Sequence, residues 1–217
     1  SLDGELLDVV KIDERPWFIE SKSQLVAALG RPRCGILIDG KHEDLASKSP
    51  VTCGLSTNKT TLYGHANGTV SNSEGKIIVE ENSAVESLSA NNNAYFIALE
   101  NGIVFSCGIE GESNWQGKGS QITCQVSGFE NTHWCGRWET IAGKIEVRDS
   151  EGSIISEMKS SRPRVAIGTE SRVSVGFEDG QIVVWEKDLF LRRIGEKSQS
   201  SDKRKSVLAA KLRSLRK

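Results

Sequence analysis

The chain has 217 residues, of which 37% are hydrophobic, with 21 glycines, 4 prolines, and 28 basic against 29 acidic side chains. That length buries a sizeable core, and the composition is that of a folded, turn-rich chain rather than a disordered one. No apolar run approaches the roughly 20 residues needed to cross a bilayer, and the start, Ser1-Leu2-Asp3-Gly4-Glu5, has no leader-like basic or apolar region.

Taken in order, the chain repeats one pattern: alternating strand, polar turn, strand, glycine hairpin, strand. Leu25–Leu29 and Ile36–Ile38 flank Gly35. Val51–Leu55 runs into Ser56-Thr57-Asn58, and Thr60–Tyr63 and Thr69–Val70 then flank Gly68, with Lys76–Val79 as a fourth strand. Val85–Leu88 precedes Asn91-Asn92-Asn93, and Tyr95–Leu99 and Ile103–Phe105 flank Gly102. The stretch Gly108–Gly119 reads as an exposed, glycine-rich loop carrying Trp115. Ile122–Val126 leads to Glu130-Asn131 and a second strand within Asn131–Glu139, and Lys144–Val147 and Ser153–Ser156 follow Gly143. Arg164–Ile167, Arg172–Phe177 and Gln181–Trp185 form the last copy around Asp179-Gly180, the dipeptide that most favours a tight hairpin, with Leu189–Ile194 as its fourth strand. The hairpin glycines after Gly35 follow at spacings of 33, 34, 41 and 37 residues.

Four short antiparallel strands recurring at roughly 35–45 residues mark a β-propeller blade, so the fold expected is an all-β propeller of about five four-stranded blades. The alternative on alternation alone is an all-β sandwich. The last copy, from Arg164 to Gly195, resembles a WD-repeat blade: Trp185-Glu186 stands where that family carries Trp-Asp. The other copies have Phe105-Ser106, Val147-Arg148 and Val70-Ser71 at that place, and none has a well-placed Gly-His pair. Propellers of that kind usually close with seven blades. Five units therefore mean a small ring, an incomplete ring closed by a partner or a second copy, or part of a longer chain. The apolar run Leu6–Ile12 is suited to latch a ring by pairing with the last blade.

The organisation expected is a propeller over 1–195, a linker over 196–205 and a basic amphipathic helix over 206–217. Residues 192–217 carry ten basic and two acidic side chains, leaving 18 basic and 27 acidic on the body. Leu208, Leu212 and Leu215 fall on one helical stripe, with Lys211, Arg213, Arg216 and Lys217 largely off it. Twelve residues are marginal for an isolated helix, so the tail is expected to be helical when docked.

Five scattered cysteines without a CxxC pair read as reduced, strand-borne residues, which points to an intracellular setting, cytoplasmic or nuclear. No metal or cofactor is expected, because His133 and Cys135 have no further ligands nearby, and no GxSxG, HExxH or P-loop motif is present. The function expected is a noncatalytic protein-interaction scaffold. Its candidate contacts are Trp115, the Trp134, Arg137 and Trp138 cluster, the basic Lys203, Arg204 and Lys205, and Leu208, Leu212 and Leu215. For the Trp134–Trp138 cluster, packing between blades is the competing reading. The rival functions are a carbohydrate-active propeller enzyme, drawing on Glu100, Glu139, Glu178 and Asp179 beside the hairpin glycines, and nucleic-acid binding through the tail.

Overall fold

Period-two alternation places successive side chains on opposite faces of a strand, and sheets buried on both faces carry apolar residues in both phases. The middle of this chain has that character: Ala94–Leu99 is buried at every position. The computed structural model describes residues 9, 12, 16–21, 25–30 and 33–194.

Five antiparallel sheets follow one another along the chain. The first contains β1 (Pro16–Ser21), β2 (Leu25–Leu29), β3 (Ile36–Ile38) and β4 (Lys41–Glu43). The second contains β5 (Val51–Ser56), β6 (Thr61–His65), β7 (Thr69–Asn72) and β8 (Ile77–Glu80), and the third β9 (Val85–Ala90), β10 (Ala94–Leu99), β11 (Ile103–Gly108) and β12 (Ser113–Lys118). The fourth contains β13 (Gln121–Ser127), β14 (His133–Glu139), β15 (Ala142–Arg148) and β16 (Ile154–Ser160). Among the described residues the fifth contains β17 (Pro163–Gly168), β18 (Arg172–Phe177) and β19 (Ile182–Glu186), followed by a helix, α1, over 187–194.

Within each sheet the strands pair in sequence order, and the first strands pack on one another from sheet to sheet: β1 on β5, β5 on β9, β9 on β13 and β13 on β17. The chain is thus a propeller whose inner strands follow chain order. Its core lies in the seams between sheets. Ala28, Ile36 and Tyr63 with Phe18 fill the first seam, and Leu62, Val70, Tyr95, Ile97 and Phe105 the second. Phe96, Trp115, Ile122 and Cys135 fill the third, and Trp134, Val147, Val173, Val175 and Phe177 the fourth.

The hairpin turns explain why four of the expected glycines are glycine. Gly35, Gly68, Gly102 and Gly180 all have positive φ. A Cβ at Gly102 would meet the Gly119 carbonyl oxygen at 2.1 Å, so conformation and space both require its absence. The fourth copy differs. Its turn takes positive φ at Thr140, 45°, and Gly143 lies inside β15.

Three further expectations are corrected. The supposed loop Gly108–Gly119 contains β12, a full fourth strand, because Trp115 and Gly117 turn inward from an otherwise exposed strand. The segment Leu189–Ile194 is helical rather than a fourth strand, so the last sheet has three strands among the described residues; Phe190 and Ile194, four residues apart, both pack on the fourth seam. β1 and β4 arise where no strand is expected. Of Leu6–Ile12, only Val9 and Ile12 are among the described residues, and Ile12 packs on Ala27, Leu29 and Leu37 of the first sheet. The linker and the tail helix lie outside the described residues.

Candidate functional site

The last sheet has two unlike faces. Ala166, Val173, Val175, Phe177, Val183 and Trp185 turn towards the fourth sheet. The other phase of the same strands carries Val165 and Ile167 on β17, Ser174 and Gly176 on β18, and Ile182 and Val184 on β19. Strand register puts these in rows: Ile167 beside Ser174 beside Val184, and Val165 beside Gly176 beside Ile182. Ile182 is 73% exposed, Ile167 66%, Val165 62% and Val184 49%. Small residues on the central strand between branched residues on its neighbours make a shallow apolar groove along β18. The Arg172–Glu186 ion pair, 3.0 Å, crosses the strands beyond the last row.

Four exposed branched aliphatics on one face form a patch of the kind that marks an interaction surface. Trp17 and Ile19 of β1 are likewise exposed on the first sheet. Both ends of the run of sheets therefore present apolar side chains to solvent. Among the described residues β19 pairs only with β18, which leaves it an edge strand. Behind it, a cavity of about 360 Å³ opens between the fourth and fifth sheets, with Ile145, Met158, Phe177, Val183 and Trp185 in its wall.

The residues expected as contacts lie elsewhere. Trp115 is 9% exposed in the third seam, beside Phe96 and under the Arg148 guanidinium at 5.6 Å. Trp134 is buried in the fourth seam, its Nε1 donating to Thr132 Oγ1 at 2.9 Å. Arg137 is fully buried, donating to the carbonyls of Gly102 and Ser120 at 3.0 and 2.9 Å. These three fill seams and cannot reach a partner from where they stand, which corrects the surface role expected of them. Trp138 is half-buried, with the Arg162 guanidinium 5.4 Å from its ring centre. Lys203, Arg204, Lys205, Leu208, Leu212 and Leu215 lie outside the described residues. The groove itself went unread in the sequence. Its signal was there: Ile182–Trp185 is apolar in both phases, the mark of a strand that needs cover on both sides.

The third seam also holds the polar interior. Arg137 Nε stands 3.3 Å from Glu146 Oε2, and Arg148 Nη2 2.7 Å from Glu146 Oε1. Burial works against the Glu146 carboxylate, but Arg137 and then Arg148 prevail and hold its pKa below the usual carboxylate range. His133 stacks on Phe96, ring centres 4.7 Å apart, and its Nε2 bonds Gln125 Oε1 at 2.8 Å. Gln125 Nε2 in turn donates to the carbonyls of Ser87 and Phe96. Burial first, and then the charges of Arg148 and Arg137, push the His133 pKa down to about 3.

A histidine whose folded pKa lies below its unfolded one takes up a proton on unfolding. Its contribution is complete above the unfolded pKa of about 6.5 and is lost as pH falls from there towards about 3. The unfolding free energy should therefore drop by about 1.4 kcal/mol per pH unit for this group between pH 6 and 4. Urea titrations over that range, repeated on His133→Gln, check it: an unchanged slope in the variant would overturn the assignment.

All five cysteines are free thiols, and burial raises Cys53, Cys107 and Cys135 to about 12 and Cys124 to about 11, far from thiolate reactivity. Glu100, Glu139, and the pair Glu178 and Asp179 are exposed at the turns of three different sheets, and Glu178 is ion-paired with Arg164. Burial and then the Glu100 charge raise the Glu86 pKa. Among the described residues, no group of three or more His, Cys, Asp or Glu side chains is placed to hold a metal ion, and no helix is long and apolar enough to cross a membrane.

No family model matches the sequence, and no curated protein matches it. Solved structures do match the fold. The computationally designed Ika8 protein is 19% identical, with a TM-score of 0.64 over 79% of this chain and 58% of that one. The Cps50 (Swd1) β-propeller domain of Myceliophteria thermophila is 10% identical, with a TM-score of 0.65 over 85% of this chain and 75% of that one. BBS1N, solved in complex with ARL6DN, is 12% identical, with a TM-score of 0.63 over 81% of this chain and 65% of that one. The chain spans 58% of the length of the designed Ika8 protein, and at these identities the likeness shows the fold alone.

Proposed function

We propose that the protein is a noncatalytic interaction scaffold of WD-repeat-like type that engages partner proteins at the exposed end of its last sheet, inside the cell. The observation that carries this reading is the row of Val165, Ile167, Ile182 and Val184 on a rigid sheet whose opposite face is packed. A rigid platform with an uncovered apolar face binds without ordering cost, and specificity then comes from the side chains around it. The half-buried Trp138, the rim turns and the basic tail, with Lys203, Arg204, Lys205, Leu208, Leu212 and Leu215, add contacts around that platform. BBS1N, a fold neighbour solved in complex with ARL6DN, lends the reading a precedent. Five free cysteines are consistent with a reducing compartment.

The test is affinity capture from cell extract with the wild type and with Ile182→Glu/Val184→Glu. Both positions are exposed, so the unfolding midpoint should move by no more than about 0.5 kcal/mol in equivalent stability. Specifically captured proteins should be lost from the variant. Retention of every captured protein by a folded variant would sink the reading.

A further inference from the structure

The groove along β18 asks for an occupant, and the chain contains a segment that fits it. We infer that residues 206–217 dock in cis as a helix, seating Leu208, Leu212 and Leu215 over Ser174 and Gly176 between the Val165–Ile167 and Ile182–Val184 ridges. The inference rests on the reading of this face as the interaction end and adds its regulation: a partner must displace the chain's own tail.

Size, reach and charge favour this occupant. Leu208 to Leu215 spans about 10 Å along a helix, and the groove from the Arg172 row to the Gly176 row runs about 13 Å along the strand. A helix lying along β18 thus meets three leucines with two rows of branched side chains. The path is short enough. From the end of α1 at 194, residues 195–205 reach up to about 36 Å, whereas the sheet to be rounded is one layer of about 10 Å. At such a linker length the effective concentration is of millimolar order, which outcompetes a second copy at ordinary protein concentrations.

Charge also complements. Lys211 and Arg216 flank the leucine stripe, while Glu170 in the turn before β18 and Asp179 in the turn after it stand at opposite ends of the groove. Docking should therefore weaken with salt without vanishing, because its apolar part is not screened.

Hydrogen exchange by mass spectrometry on the full chain tests this, together with light scattering for mass. Amides of 206–217 should exchange at least about tenfold more slowly than in the corresponding synthetic peptide. That protection should disappear in Leu208→Ser/Leu212→Ser/Leu215→Ser and equally in Val184→Glu, with the mass remaining that of one chain. Peptides covering β17 and β19 should exchange faster in the tail variant, which touches no sheet residue and so keeps the test valid if Val184→Glu misfolds. Coil-like exchange of 206–217 in the wild type would overturn the inference. So would protection that rises with protein concentration alongside a doubled mass, since a second copy would then be the occupant. A protected tail with no partner captured would support the inference and sink the scaffold reading; an unprotected tail with partner capture lost in Ile182→Glu/Val184→Glu would do the reverse.

Discussion

Glu146→Gln should lower the unfolding free energy by about 3–5 kcal/mol, an effect readable as a fall of about 10 °C in melting temperature for a chain of this size. The reason is the company the carboxylate keeps. Arg137 is fully buried and Arg148 nearly so, and Glu146 lies against both, with Lys144 at 3.6 Å from its Oε2. Taking two guanidiniums out of water is costly, and the carboxylate is what makes their burial tolerable. Glutamine keeps the shape and removes the charge, so both cations remain buried with only carbonyls to bond: Gly102 and Ser120 for Arg137, Gly152 for Arg148. Exchanging all three for apolar residues of similar volume would be far milder, because no charge is then stranded. Denaturation of the single and triple variants separates the two cases. A single variant that loses less than about 1 kcal/mol would show that water reaches this cluster. Since the folded pKa of Glu146 is depressed, its contribution is present above the unfolded value and is lost as pH falls below it. Acid therefore acts on the third seam twice, through His133 from about pH 6.5 downwards and through Glu146 below the ordinary carboxylate range.

The fold was legible because its punctuation is backbone chemistry. Gly35, Gly68, Gly102 and Gly180 occupy turns that L side chains rarely adopt, and such positions advertise themselves in sequence. The strands Leu25–Leu29, Ile36–Ile38 and Arg172–Phe177 are bounded as alternation and turn residues indicate. β12 escaped because four of its six side chains are exposed and its inward residues are a tryptophan and a glycine, which resembles a loop to any periodicity test. The segment Leu189–Ile194 escaped for the opposite reason, since a short apolar run does not declare its period.

The site was less legible. Trp and Arg are enriched both at interfaces and, when ion-paired, in interiors, so composition alone cannot separate Arg137 as a contact from Arg137 as a buried cation. That distinction belongs to Glu146, nine residues along the chain but on the neighbouring strand. That the groove is open among the described residues depends on what packs against the strand from elsewhere in the chain, and a strand's own sequence says only that cover is wanted.

Trp134→Ala should cost about 3–5 kcal/mol, and this result decides between two roles for the same residue. As a contact at a binding surface, truncation would weaken capture and leave stability nearly untouched. The geometry argues for the opposite. The indole is buried with ring centres of Phe190, Trp185 and Phe129 at 4.8, 5.2 and 5.8 Å. These rings come from α1, β19 and the turn before β14, so one side chain joins the fourth sheet, the fifth sheet and the helix. Removing it opens a void that the two sheets cannot close without sliding, which is why the loss belongs at the upper end of core truncations. Phe190 loses its main anchor at the same moment, so amides of α1 should exchange faster in the variant than global destabilisation alone accounts for. A double-mutant cycle of Trp134→Ala with Phe190→Ala should give a coupling of about 0.5–1.5 kcal/mol. Additive losses would mean that the helix is held by the backbone path out of β19 rather than by the aromatic seam.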